Sequence, residues 1–243
     1  MAVPAYATRI MLDQYDVSAD NRQVSVELMA EALDVSAFQT AARLLSPGAP
    51  SGKIATSGYW SGTAVTGLDP LLYARLGAAT NGIVSVLFDT RATGNPAYVQ
   101  QSTWNGSAKI GAPIKDVITL DAEWQAFTNR GLSVAHGTVA GTGGIGATGV
   151  DFATAGTLGG FAVCHVRSIS GTATGATIAL QSSAAGAMTS PTTHGTFTFS
   201  AVGAYLITWS GATGRYIRPN CTSLGGATNF GVTIIAGVTG VTG

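Results

Sequence analysis

The sequence predicts a mainly β protein with one short helix, ending in a jelly-roll-like β-sandwich. Three observations point there. Runs of β-branched and aromatic residues recur along the chain between clusters of Gly, Ser, Thr and Ala. Glycine makes up 33 of 243 residues, roughly double its usual share of about 7 %. Among the segments, 68–77 (LDPLLYARLG) combines helix signals at both ends: Asp69 as a capping acceptor, Pro70 with its preset φ, and Gly77 for the left-handed exit.

In the first half, strands are expected at 7–12, 22–28, 53–60, 83–89, 97–104 and 117–127. Between Val24 and Leu45 the pattern is two-sided. Leu28, Met29, Ala32, Leu33, Phe38, Ala41, Ala42 and Leu45 fit a helical period, whereas Val24, Val26 and Leu28 also alternate as in a strand. In the second half, strands are expected at 161–168, 177–181, 196–200, 205–209, 215–221 and 229–236, the spacing of an antiparallel sandwich.

Charge divides the chain unevenly. There are 12 basic and 12 acidic residues, and beyond residue 130 the charged residues are Asp151, Arg167, Arg215 and Arg218. The glycine run 137–149 (GTVAGTGGIGATG) lies close to that break. The expected organisation is therefore a first domain over 1–136, a Gly-rich linker over 137–149 and a sandwich domain over 150–243.

The same composition excludes several classes. A balanced charge offers no basic face for nucleic acid, and 46 % hydrophobic residues are too many for a disordered chain. The first twelve residues lack the basic and apolar regions of a signal peptide, and no run approaches the roughly 18 apolar residues of a membrane span. A protein that begins in the cytoplasm and inserts in no membrane is expected. Cys164 and Cys221, 57 positions apart and outside any CxxC pattern, read as two buried thiols.

Chemistry-bearing motifs are sparse. His136, His165 and His194 have no ligand partner at metal spacing, and His165 reads as a hydrogen-bonded structural residue within a strand. The stretch 141–146 contains GxGGxG, without the preceding strand and following helix of a dinucleotide loop. Asp121 and Glu123 share one face of a strand, as glycosidase carboxylates could, but a solvated strand face is the plainer explanation. Trp60, Trp104, Trp124 and Trp209 could stack on sugars or fill a core. No catalytic residue, cofactor or metal site is assigned.

Several short stretches, spread from residue 34 to 218, resemble the tail tube (major tail) proteins of long-tailed double-stranded DNA phages. They are DVSAF at 34–38, LSPG at 45–48, GYWSG at 58–62, the helix at 69–76, GAPIKD at 111–116 leading into 117–127, and the Arg130-Gly131 exit. In the last third, LQSS at 180–183 and RYIR at 215–218 resemble the core of virion sandwich domains.

The resemblance implies a tube domain followed by an outward β-sandwich. It implies subunits joined in hexameric rings, stacked into a virion tail after assembly in the host cytoplasm. Partners would be copies of itself, other tail proteins, and double-stranded DNA that passes through the lumen without specific binding. It favours a strand over 24–36 and makes 38–50 an inter-subunit loop, to which Pro47-Gly48 and Pro50 independently point. The expected subunit contacts are Phe38, Leu44, Leu45 and Pro47. Glu27 and Glu31, of one strand parity, would face either the lumen or outer solvent. Two other roles stay open: an adhesin module binding glycans through Trp209 or Tyr216, and a glycosidase using Asp121 and Glu123.

Overall fold

The computed structural model describes residues 7–34, 45–61, 67–75, 82–89, 93–112, 116–146 and 148–239. The strands are β1 (Arg9–Leu12), β2 (Tyr15–Asp16), β3 (Asn21–Asp34), β4 (Leu45–Tyr59), β5 (Gly82–Leu87), β6 (Pro96–Gly111), β7 (Thr119–Ala126) and β8 (Thr128–Val139). They continue with β9 (Gly143–Gly144), β10 (Val150–Asp151), β11 (Gly159–Gly171), β12 (Ala176–Ser183), β13 (Thr192–Phe199), β14 (Gly203–Trp209), β15 (Tyr216–Ser223) and β16 (Ala227–Thr239). One helix, α1 (Leu68–Arg75), stands among them. The mainly β expectation holds, with one short α-helix among the described residues. The cap position falls on Gly67, so Asp69 and Pro70 sit two positions deeper than expected, within the first turn, where a carboxylate suits the helix dipole and proline forfeits no intrahelical bond.

The chain divides into two compact units. Unit 1 comprises residues 1–18, 83–99 and 129–243; unit 2 comprises 19–82 and 100–128.

Unit 1 contains a jelly roll. One sheet runs β14-β11-β16-β8 and the other β10-β15-β12-β13. After β8 the chain crosses to the second sheet for β9 and β10, returns for β11, crosses for the β12-β13 hairpin, and then alternates through β14, β15 and β16. Two antiparallel sheets connected this way, the second with β9 added beside β15, are a jelly roll. Between them lie Val134, Cys164, Val166, Ile178, Leu180, Phe197, Phe199, Ile217, Phe230 and Ile234. Both cysteines are free and buried in this layer, and desolvation alone pushes the Cys164 thiol far above its ordinary pKa. The first sheet extends past β8 through β6, β5, β1 and β2. A second cluster joins Met11, Leu87 and Val99 to Phe161, Val163 and Ile235, so the extended sheet curves enough for non-neighbouring strands to share an apolar layer.

The expected boundaries at 136 and 150 do not coincide with this division. The glycine run is not a free tether: Gly137–Val139 end β8, Gly143 and Gly144 pair with Cys221 and Asn220, and Val150 and Asp151 pair with Ile217 and Tyr216. β8, for which no strand was expected, is the first strand of the sandwich, because its partner β16 needs a neighbour on each side and finds them in β8 and β11.

In unit 2, β3, β4, β7 and the second half of β6 form a sheet in that order. β3 resolves the ambiguous segment as a strand from Asn21 to Asp34. The loop expected over 38–50 is corrected at its end: 45–50 belongs to β4. Pro50 opposes Ala30 and Pro47 opposes Ala32, with one extra residue on the β4 side. β7 pairs with β4 only from Gly52 to Tyr59, so the proline-bearing stretch has one unpaired edge among the described residues, a place where proline's missing N–H is tolerated.

Candidate functional site: the polar face of the four-stranded sheet

Antiparallel residues directly opposite one another project from the same side of a sheet. In unit 2 the register therefore collects Gln23, Ser25 and Glu27 from β3, Lys53, Ala55 and Ser57 from β4, Asp121, Glu123 and Gln125 from β7, and Ser107 and Lys109 from β6 on one face. The alternate residues Ile54, Leu120, Ala122 and Trp124 are buried on the other. The alternation of β7, with Leu120, Ala122 and Trp124 in and Asp121 and Gln125 out, fixes which way the face turns.

The face is polar and almost neutral, with carboxylates at Glu27, Asp121 and Glu123 against amines at Lys53 and Lys109. Lys53 Nζ lies 2.9 Å from Glu123 Oε2, and Gln125 Nε2 donates to Glu123 Oε1 at 2.7 Å. The hydrogen bond from Lys53, then that from Gln125, holds the Glu123 carboxyl below its ordinary pKa. The reciprocal bond raises Lys53, with Glu27 adding a smaller attraction. An open depression of about 240 Å³ lies here, lined by Gln23, Ser25, Ser57, Ser107, Asp121 and Glu123.

This environment opposes general-acid chemistry. A glycosidase acid needs a carboxyl whose pKa is raised by apolar surroundings, whereas Glu123 is ion-paired and lowered. Among the described residues, no group of three or more His, Cys, Asp or Glu is placed to hold a metal ion.

Beyond the part of β4 that β7 covers, β3 and β4 continue together as a two-stranded arm. Met29, opposite Ser51 on the arm, is 52 % exposed, and Leu28, opposite Gly52 at its base, is 56 % exposed. Glu27 is exposed, and Glu31 lies on the same strand four residues on. Leu45 and Pro47 lie in β4, while Phe38 and Leu44 fall outside the described residues.

The aromatic residues proposed for sugar stacking are mostly engaged. Trp124 is buried, and Trp60 is 41 % exposed. Trp104 lies in β6 with its side chain outside the described set. Trp209 stacks on His194 with ring centroids 5.1 Å apart, donates from Nε1 to Thr213 Oγ1 at 2.8 Å, and packs so tightly over Gly160 that a Cβ there would come within 2.5 Å of its ring. Arg215 covers the Tyr216 ring at 5.3 Å while forming a two-pronged pair with Asp151, with both N–O distances 2.7 Å. His165 is hydrogen-bonded at both ring nitrogens, as the sequence suggested.

Register was the missing signal for this site. Composition shows that Lys53, Glu123 and Gln125 exist; only the offset between β4 and β7 shows that they meet.

No known family profile matches the chain, and no curated protein does. Solved structures do. The chain is similar to a component of the virion of a native gene transfer agent particle, at 14 % identity and TM-score 0.42, covering 53 % of this chain and 97 % of that one. It is similar to a chain of the sheath-tube complex of an extracellular contractile injection system in its extended state, at 11 % identity and TM-score 0.42, covering 53 % and 90 %. A third is the SPP1 tail tube, at 9 % identity and TM-score 0.40, covering 53 % and 78 %.

Proposed function

We propose that this chain is a structural subunit of a phage tail tube, assembling with copies of itself into stacked rings that form the conduit for DNA. The observation that carries the reading is the two-faced sheet of unit 2. One side is apolar and buried, and the other is polar and nearly charge-balanced, with few cations to hold phosphates. A conduit for a polyanion needs such a wall, because each phosphate contact strengthens binding and slows passage. On this reading Glu27 and Glu31 face the lumen. The β3-β4 arm, with Leu28 and Met29 exposed and Leu45 and Pro47 on β4, reaches a neighbouring subunit, and Phe38 and Leu44 are proposed to join the same contact. A two-stranded ribbon is marginal by itself in water, so such an arm gains from a partner. Other tail proteins complete the assembly, and the role is structural rather than catalytic.

Negative-stain microscopy of the purified protein tests the reading. Tubes or stacked rings are the expected result. Isolated particles that remain monomeric at high concentration, in the presence of tail-completion partners as well as alone, overturn it.

A further inference from the structure

His165 sits on β11 with no exposed surface, on the sheet face that also buries Phe161 and Val163. Its Nδ1 is 2.5 Å from the carbonyl oxygen of Asp13, and its Nε2 is 2.8 Å from Ser85 Oγ. A carbonyl oxygen can only accept, so Nδ1 carries the ring proton and Nε2 accepts from the serine hydroxyl. The neutral imidazole thereby joins three pieces distant in sequence: the β1-β2 turn, β5 and β11.

The turn is tied to β5 as well, where β1 pairs from Arg9 opposite Leu87 to Leu12 opposite Val84. Asp13 holds a left-handed backbone at φ 49. Its N–H donates to the Ile83 carbonyl at 3.0 Å, and its Oδ1 accepts from the Ile83 N–H at 2.8 Å. Asp13 and the β1-β5 ladder fasten the turn to β5, and the His165 ring fastens it to β11.

The groups around this ring do not welcome a second proton. Arg167 on β11 presents a positive charge to it. On β1 and β2, Arg9 and Asp16 are paired with each other. On β8, His136 Nδ1 lies 2.8 Å from Oγ1 of Thr233, the β16 residue that stands opposite both His165 and His136. None of these places a carboxylate on the His165 ring. Desolvation first, and Arg167 second, bring its pKa down to about 3.

We propose that His165 is an acid-sensitive latch whose protonation frees the Asp13 turn from β11. A proton added at Nε2 turns that nitrogen into a donor, so the Ser85 hydroxyl must reverse and the imidazolium is left buried beside Arg167. Opening hydrates the ring and restores its ordinary affinity for protons. The folded pKa is lowered, so the latch is fully effective above pH 6.5 and weakens as pH falls from there toward 3. Each unit in that window favours the open form about tenfold, or roughly 30-fold between pH 7.5 and 5.

Hydrogen–deuterium exchange followed by mass spectrometry on the full chain tests this through peptides covering residues 9–18 and 82–88. After correction for the intrinsic pH dependence of exchange, their opening should rise roughly 30-fold from pH 7.5 to 5, while peptides from β12 and β15 stay protected. His165→Gln should flatten that slope. Asp13→Asn, which keeps the backbone carbonyl but removes the carboxylate's own titration, should preserve it. A flat wild-type profile overturns the proposal, as does a slope that survives in His165→Gln. Should His165→Gln not fold, histidine-selective NMR of the wild type decides. A neutral ring at pH 5 together with the slope supports the latch; a ring that protonates near pH 6.5 while both peptides stay protected overturns it.

Discussion

Lys53 and Glu123 meet diagonally across β4 and β7, with Nζ 2.9 Å from Oε2 on the polar face of unit 2. Each depends on the other for its titration. Replacing Lys53 with Met should return the Glu123 carboxyl toward its ordinary range, leaving only the Gln125 hydrogen bond to hold it down. The pair's contribution is present above the usual carboxylate range and lost as pH falls through the lowered value. Carboxyl NMR titration of the two proteins checks this; an unchanged Glu123 would show that the ion pair is not what lowers it.

The exposed arm leads to a second expectation. Leu28 and Met29 show more than half of their surface in the isolated subunit, and burying residues of this kind is worth roughly 1.5–3 kcal/mol each. Leu28→Asp with Met29→Asp should give a folded, monomeric subunit that no longer polymerises, as should Leu44→Asp with Leu45→Asp. Circular dichroism and sedimentation separate loss of assembly from loss of fold, and wild-type polymers from both double variants would remove the arm from the interface.

Charge reversal examines the channel wall. Glu27→Lys with Glu31→Lys should leave tubes intact but slow DNA ejection, and the delay should shrink as salt rises, since each neutralised phosphate steepens the salt dependence by about 0.9. Ejection timed by dye release from particles shown to contain the variant measures it. A wild-type rate at low salt would place both carboxylates in outer solvent.

The jelly roll makes a stability prediction. Phe230 is fully buried and packs edge-on against Phe199 at 5.0 Å, so Phe230→Ala should cost about 3–5 kcal/mol in chemical denaturation. Ending the chain near Gly141 is more severe. It removes β16 from the edge of β8 and uncovers Val134, Ala135 and Val139, so the truncated protein should fail to fold rather than assemble.

Most strands were legible because their alternation is uninterrupted: β7 and β15 bury every second residue. β8 was not, because a register shift against β16 at Val134 puts two successive apolar residues, Val134 and Ala135, into the same core. The two glycines at 131 and 137 weaken the strand signal further. The glycine run misled for the opposite reason. Composition reports backbone freedom, and nothing local indicates that Gly143 and Gly144 will be held by β15, more than 70 residues away. Within the candidate site, the parity of Asp121 and Glu123 could be read from the sequence; the cation that neutralises Glu123 could not.

The position of β16 between β8 and β11 bears on how the protein is made. Phe230 pairs with Val139, 91 positions earlier, so the sheet closes only after a long excursion of chain. Loop-closure entropy must be met before those contacts form, which places this part of the molecule among slow-folding topologies, in milliseconds to seconds. On the ribosome, β8 emerges well before its neighbour and waits with one edge unsatisfied. That edge carries no charged residue from Gly131 to Val139 to discourage pairing with another nascent chain. Yield in the cell should therefore respond more to chaperone supply and translation speed than to the stability of the finished subunit.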